Sequence, residues 1–290
     1  MYIFIVNPAS GNGRGERVWF QVQQLLSQYR IAHQVFFTKF AGHAVELTRL
    51  AMHLPHIRSV IAIGGDGTVH EVGNALIGTD RPLGYIPSGT GNDFALAHAI
   101  PSSPVQALRR VLKHQVYRID TAKMGKRFLI GFAGIGFDGQ VAKVINDSVF
   151  NRRMGRFAYL LGFMQALRNY QPAQLSLTLD GETYEYQRVW LIAVANIPNY
   201  GGGMNICPGA APNDGHLDIC CVTDLSRMQL VKLFPSVYRG KHIQDPSVRV
   251  HRARKVTLQT DPPLIVHADG EVIGKTPLSI TVFPDSLMLL

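Results

Sequence analysis

Through the first 122 residues, short apolar runs alternate with segments whose apolar positions recur at helical spacing. Tyr2–Val6, Gln34–Thr38, Ser59–Ile63 and Leu83–Ile86 read as buried strands. Between and after them, Glu16–Tyr29, His43–His53, Thr68–Ile77, Asp93–Ala99 and Val105–Lys113 read as helices. Strand–helix alternation of this kind predicts right-handed βαβ units around a parallel sheet. Ligands of such sheets bind beyond the carboxyl ends of the strands. Three polar, glycine-rich loops fall there: Asn7–Gly15 after the first strand, Gly64–Gly67 after the third, and Pro87–Gly91 after the fourth.

From about residue 123 the pattern changes. Phe128–Phe132, Leu175–Leu179, Tyr184–Gln187, Val189–Val194, Leu217–Val222, Lys255–Gln259, Leu264–Ala268 and Leu278–Phe283 read as strands separated by turn signals. Asp180-Gly181 reads as a hairpin turn. Arg156–Asn169 and Ser226–Tyr238 read as helical interruptions. The expectation is α/β followed by β: a Rossmann-like domain over 1–122, then a mostly antiparallel sandwich or barrel over 123–290.

Composition narrows the class. With 46% hydrophobic and 17% charged residues the 290-residue chain is a globular protein, not a disordered one. Its net charge of +9 favours anionic partners. Residues 1–122 carry 11 basic and 7 acidic side chains (+4), and the remainder 18 and 13 (+5), so no polybasic tail or stripe marks a nucleic-acid protein. Cys207, Cys220 and Cys221 form neither a disulfide framework nor a metal-ligand spacing, which fits buried thiols in a reducing compartment. The N-terminus lacks the basic region of a signal peptide. The longest apolar stretch, Val189–Ala195, is about a third of the length a membrane helix needs. A cytoplasmic protein able to touch a membrane surface is expected.

Gly64-Gly65-Asp66-Gly67-Thr68 sits between a strand and a helix. Glycines let a backbone approach phosphate oxygens, and the helix start adds positive potential. An aspartate inside a phosphate loop repels its ligand unless a cation stands between them, so Asp66 points to Mg²⁺. Asn92 and Asp93, opening a helix after the third loop, read as N-caps. No Walker A lysine is present, and none of these three loops carries a dinucleotide fingerprint.

Asn7-Pro-Ala-Ser-Gly, Gly-Gly-Asp-Gly-Thr at 64–68 and Pro-Ser-Gly-Thr-Gly-Asn-Asp-Phe-Ala at 87–95 closely resemble the diacylglycerol kinase catalytic-domain family, in particular its bacterial lipid kinases. Pro208-x-Ala210-x-x-x-Asp214-Gly215-x-Leu217 and Asp269-Gly270-Glu271 extend the resemblance over nearly the whole chain. The Gly-Gly-Asp-Gly-Thr segment alone is also similar to NAD kinases.

The resemblance implies a two-domain, ATP-dependent and Mg²⁺-dependent lipid kinase. Its nucleotide would lie among Asn7, Pro8, Ala9, Ser10, Gly11, Thr38, Gly64, Gly65, Asp66, Gly67, Thr68, Val69, His70, Thr90, Asn92 and Asp93. Glu271 would be the general base on the lipid hydroxyl and Asp66 the Mg²⁺ holder, with the reverse assignment open; Asp120 would support Asp66. A structural Mg²⁺ would bind Asp214 and the backbone of Ala211 and His216. His70 stands where many relatives have asparagine.

The expected partner is a lipid substrate at a membrane surface, diacylglycerol first; a homodimer is a further expectation, and nucleic acid is not. Alternatives are another acceptor (a sphingoid base, ceramide, another lipid alcohol, or NAD) and an inactive lipid- or nucleotide-binding regulator. Two segments are candidates for membrane contact. One is the helical face Phe157, Leu160, Leu161, Met164 and Leu167 behind Arg152, Arg153 and Arg156, for which packing on its own domain is the leading reading. The other is the strip Arg249, Arg252, Arg254 and Lys255.

Overall fold

A computed structural model of the chain describes residues 1–141 and 164–290. Arg152, Arg153, Arg156, Phe157, Leu160 and Leu161 lie outside the described residues. The first unit runs β1 (Tyr2–Val6), α1 (Ser10–Gln28), β2 (His33–Phe37), α2 (His43–Ala51), β3 (Ser59–Gly64), α3 (Asp66–Leu76), β4 (Leu83–Pro87), α4 (Asp93–Ala97) and α5 (Pro104–Lys113). β1 pairs in parallel with both β2 and β3, and β3 pairs in parallel with β4. The connection through α1 leads to one side of β1 and the connection through α2 to the other. β1 and β3 therefore flank the switch point, where the loops beyond their carboxyl ends diverge and open a crevice.

The chain continues as β5 (Tyr117–Met124), β6 (Arg127–Leu129), β7 (Phe132–Gly136), β8 (Ala173–Leu179), β9 (Glu182–Ala195), β10 (Asn199–Tyr200), β11 (Met204–Asn205) and β12 (Leu217–Thr223). Helix α6 (Arg227–Val237) follows, then β13 (Val248–Ala253), β14 (Lys255–Asp261), β15 (Ile265–Ala268), β16 (Glu271–Lys275) and β17 (Leu278–Leu289). Residues 137–141 and 164–169 are also helical. All pairings from β5 onward are antiparallel except where Leu289 of β17 meets Leu83 of β4 in parallel.

That exception joins the two units. Most of the buried apolar side chains fall into two clusters. One is built from β1, β3, β4 and their helices, the other from β7, β8, β9, β12 and β14. Leu287, Leu289 and Leu290 belong to the first cluster, although a division at 122/123 assigns them to the second domain. β17 packs in both cores, Ile280 in the second and Leu287 and Leu289 in the first, and between them its register shifts where Asp285 adopts a left-handed φ of 50°.

Asp180 and Gly181 both have positive φ and connect β8 to β9 as a two-residue hairpin turn, as the Asp-Gly pair predicts. The segments read as Tyr184–Gln187 and Val189–Val194 are one strand, bent where Arg188 adopts a positive φ. The expected strand Phe128–Phe132 is two, β6 and β7.

Candidate active site

The three loops meet. Asn7 donates from its backbone N–H to Ile63 O (2.8 Å) and from its side-chain amide to Thr68 Oγ1 (3.2 Å). The Ser10 hydroxyl lies 2.7 Å from that of Ser88. Gly64 O accepts from the N–H groups of Ser88 and Gly89 and from the Tyr85 hydroxyl, at 2.7, 3.1 and 3.1 Å. The packing leaves no room for side chains: a Cβ on Gly89 would fall 2.5 Å from Gly65 Cα, and one on Gly11 2.2 Å from Ser88 O. Gly11, Asn12 and Gly13 all have left-handed φ (56°, 55° and 82°), so α1 begins with a non-helical loop before its regular part.

Between these loops and the end of β2 lies a cavity of about 420 Å³. Asn7, Ala9, Ser10 and Gly11 line it from the first loop, Gly65, Gly67 and Thr68 from the second, Gly89 from the third, and Thr38 from beyond β2. Lys39, Phe40, Ala41, Ala44 and Glu71 also line it and escaped the sequence reading. The rule that carried Thr38, a position just past a strand's carboxyl end, applies equally to Lys39 and Phe40. Glu71 is structural: its carboxylate accepts from Gly42 N–H (2.9 Å) and Ala44 N–H (3.0 Å) at the start of α2. Phe40 is exposed and stacks on His43 with centroids 4.5 Å apart.

Other expected nucleotide residues sit elsewhere. Val69 is fully buried in the first core and its N–H bonds Gly65 O, so neither can meet a ligand. His70 is turned away from the cavity: its Nδ1 is 3.4 Å from Asp269 Oδ1 and its ring lies edge-on to Phe94. Pro8, Gly64, Thr90 and Asn92 do not line the cavity. Asn92 occupies the cap position of α4 but makes no side-chain cap; it ties the third loop together through Gly89 N–H (3.0 Å) and Tyr85 OH (3.2 Å).

Asp93 is not a helix cap either. Its two oxygens accept from Gly202 N–H (2.8 Å) and Gly203 N–H (2.7 Å), in the turn between β10 and β11. It thereby pins the first unit to the second. Burial pushes its carboxyl up from the ordinary aspartate range, and the nearby Asp66 adds to this against the two N–H donors. Asp66 accepts from Phe94 N–H (3.0 Å) through Oδ1, and its Oδ2 faces Gly91.

Asp66 does not itself line the cavity but sits between Gly65 and Gly67, which do; one carboxylate oxygen to spare there, with a second carboxylate nearby, suits a magnesium ion completed by phosphate oxygens and water. Asp66 fits that role. Asp120 does not join it: buried in β5, it accepts from Gly215 N–H (2.7 Å) and Asp285 N–H (2.9 Å), tying the 208–217 loop and the bend of β17 to the first unit. The 211–216 loop does not suit a cation as the structure stands. Asp214 accepts from His216 N–H (2.9 Å) and its second oxygen is paired with Arg252, while Pro212 O takes the Asp120 N–H. Among the described residues no group of three or more His, Cys, Asp or Glu gathers around a metal-sized space.

The Asp269-Gly270 turn joins β15 to β16 with φ of 47° and 90°. Asp269 faces inward and accepts from the N–H groups of Ile130, Gly131 and Phe132 at 3.0–3.1 Å. Glu271, two residues on, faces outward beside Arg127 (3.0 Å), with its side chain 55% exposed.

The family description "Diacylglycerol kinase catalytic domain" matches residues 1–124, and "YegS C-terminal NAD kinase beta sandwich-like domain" matches residues 131–290. A Bacillus subtilis protein, YtlR, provisionally described as a lipid kinase, is 31% identical over 99% of this chain and 98% of its own. A diacylglycerol kinase of Mycobacterium tuberculosis is 33% identical over 80% of this chain and 76% of its own. The crystal structure of a diacylglycerol kinase from Bacillus anthracis superposes with a TM-score of 0.76 at 23% identity, covering 99% of this chain and 95% of that one. An NAD kinase from Archaeoglobus fulgidus, solved with ATP, shares the fold at a TM-score of 0.55 and 15% identity. The chain belongs to the diacylglycerol kinase catalytic-domain family and carries that family's two-part fold, an α/β unit followed by a sandwich-like β unit.

Proposed function

We propose that this protein is a lipid kinase that transfers the γ-phosphate of ATP to a lipid hydroxyl, with diacylglycerol as acceptor and phosphatidic acid as product. The observation that carries the reading is the cavity of about 420 Å³ at the β1/β3 switch point, walled by glycines of three loops and entered by one lysine, Lys39. Such a wall brings backbone close to a phosphate chain, and Lys39 supplies a countercharge. Exposed Phe40 offers a ring face to a base. The names of the matching relatives support the lipid acceptor.

The lipid would approach from the second unit. In the transfer, the lipid oxygen forms a bond to the γ-phosphorus as the bond to the leaving ADP oxygen breaks, and the hydroxyl proton passes to a carboxylate. Glu271 is assigned that proton: it is the outward acid of the turn, whereas both oxygens of Asp269 are held by backbone N–H groups. Asp66 would hold magnesium through Oδ2, and the metal would supply charge neutralisation on the phosphates. A cytoplasmic enzyme working at a membrane surface follows from this reading; no helix among the described residues is long and apolar enough to cross a membrane.

The test is transfer of labelled phosphate from ATP with Mg²⁺ into micelles carrying diacylglycerol, ceramide, sphingosine or monoacylglycerol singly, with NAD in parallel. Label in diacylglycerol supports the reading. Label in NAD alone overturns the lipid acceptor, and label nowhere with ATP still bound overturns the kinase. Asp66→Asn should shift the Mg²⁺ requirement upward, and an unchanged requirement removes Asp66 from the metal role.

A further inference from the structure

Helix α6 presents an apolar stripe to solvent. Met228, Val231, Pro235 and Tyr238 recur at i, i+3, i+7 and i+10, one face of a helix, and all are exposed, Met228 the most at 66%. The opposite face, with Leu230 and Val237, is buried in the second core. Ile243 continues the exposed apolar surface just beyond the helix. Met164 is exposed on the neighbouring helical turn, which is fastened to α6 by the Arg227 guanidinium donating to Leu167 O (2.8 Å) and Tyr170 O (3.2 Å).

The surroundings of this stripe are basic. The helix contains no acidic residue, and Lys232 and the exposed Arg239 border its apolar face. Lys232 also lines an open cleft of about 840 Å³ beside the helix, together with Lys241 and Arg249 and the hydroxyl-bearing Ser236 and Ser247. Two acids, Asp224 and Asp245, share the cleft; Asp245 is engaged by the N–H (2.9 Å) and hydroxyl of Ser247.

We propose that the exposed face of α6 and the basic cleft beside it are the surface on which this protein docks on an anionic phospholipid bilayer. The apolar stripe would enter the headgroup–acyl boundary, and the lysines and arginines would meet lipid phosphates. Charge complementarity selects this occupant. A contiguous apolar stripe marks an interaction site, and a helix without acids beside a cleft in which Lys232, Lys241 and Arg249 outnumber Asp224 and the Ser247-engaged Asp245 matches a surface of anionic headgroups. Of the expected strip, Arg249 lines this cleft; Arg252 is paired with Asp214, and Arg254 and Lys255 do not line the cleft. The docking itself is independent of catalysis, while its use, bringing a bilayer-held substrate to the enzyme, rests on the lipid kinase reading.

The experiment is co-sedimentation of the full-length protein with vesicles of phosphatidylcholine alone and of phosphatidylcholine with phosphatidylglycerol. The wild-type protein should partition onto the anionic vesicles and not onto the neutral ones. The pairs Met228→Asp with Tyr238→Asp, and Lys232→Glu with Lys241→Glu, should each lower that partition about tenfold or more. All four positions are exposed, so the thermal midpoint should hold, and transfer to a short-chain diacylglycerol dissolved as monomers should be unchanged in both variants. Equal binding to neutral vesicles, or wild-type binding by both variants, overturns the proposal. So does a wild-type dimer that Met228→Asp dissociates while vesicle binding persists, which would make the stripe an interface between copies. Vesicle binding with no phosphate transferred to any lipid would sink the kinase reading and leave the docking surface standing.

Discussion

The Gly64–Thr68 turn of the first unit and the Asp269–Glu271 turn of the second both set an acid beside a glycine, yet they anchor it by different means. Asp66 is held by the N–H of Phe94, at the start of α4 just past the third loop, and keeps one oxygen clear of protein donors. In the second turn the work is divided between two residues. Asp269 fastens the turn to a segment more than 130 positions away through three N–H donors, while Glu271 keeps an exposed carboxylate. In the first turn one residue is both anchored and left with a free oxygen; in the second the anchor and the exposed carboxylate are separate residues.

That division can be broken residue by residue, and the largest effects are expected here. Asp269→Ala leaves three inward-facing N–H groups without an acceptor and should lower stability by about 3–5 kcal/mol, read from denaturant unfolding. Glu271→Gln loses only an exposed pair with Arg127, so stability should change by less than about 0.5 kcal/mol while turnover falls by about 100-fold or more with ATP binding retained. If Glu271→Gln turns over normally, the proton acceptor moves to Asp66. If Asp269→Ala is as stable as the wild type, the anchoring role given to Asp269 is wrong.

The first unit's loops should show the next largest effect. Gly11→Ala places a methyl group 2.2 Å from Ser88 O at a left-handed φ, so the third loop must move. ATP affinity should drop by about tenfold, measured by calorimetric titration, for a displacement costing on the order of 1–2 kcal/mol. Gly13→Ala is the control: it shares the left-handed φ, but its Cβ would meet nothing within 4 Å. Its effect should be confined to about 1 kcal/mol of stability, with ATP affinity retained. Equal losses of affinity in both variants would mean that backbone strain, not loop contact, shapes the cavity.

The difference between the two turns also explains what could be read from the chain. The cavity's glycines, Asn7, Ser10 and Thr68 were legible because each lies beyond the end of a buried, strongly apolar strand. The partners of Asp93 lie 109 and 110 residues away, those of Asp120 95 and 165, and those of Asp269 137–139, and no local pattern announces a backbone N–H as a partner. Asp93 was legible as an acid at a helix start, and its actual role as a pin on Gly202 and Gly203 was not. Three of the strands that escaped reading share one physical trait. Tyr117–Met124, Val248–Ala253 and Glu271–Lys275 carry charged residues on exposed faces, and β13 and β16 each pair along one edge only, so they lack the apolar run that marks a central strand.

The 208–217 loop sets a smaller contrast between a cation site and an ion pair. Asp214→Ala removes the Arg252 partner from a surface where that arginine is half exposed, so stability should fall by about 1 kcal/mol or less. Metal content measured on the purified protein should be the same in wild type and variant. A bound metal lost with Asp214 would restore the loop as a cation site, with Arg252 displaced.

The smallest effects should distinguish the two cores by pH, because each buries a histidine and the two are shifted in opposite directions. His98 packs against Phe94 in the first unit, and burial, helped by Arg110 and His70, holds its pKa down to about 3. Unfolded, it titrates near 6.5, so as pH falls below that value the unfolded chain takes up a proton that the folded one refuses, and folding weakens. Between pH 7 and pH 5.5 this amounts to about 1 kcal/mol. His267 in the second unit lies 2.5 Å from buried Asp138. Burial disfavours its charge, but the Asp138 carboxylate, the hydrogen bond between them and nearby Asp269 outweigh that, so its pKa is raised. Its contribution is therefore complete below the unfolded pKa and is lost as pH rises through the folded one. Hydrogen exchange should find β3 and β4 loosening on the acid side and β7 and β15 on the alkaline side. His98→Asn should flatten the first limb alone and His267→Gln the second. If β3, β4, β7 and β15 all show both limbs, the two cores unfold as a single cooperative body, and β17, which threads both, is the element that couples them.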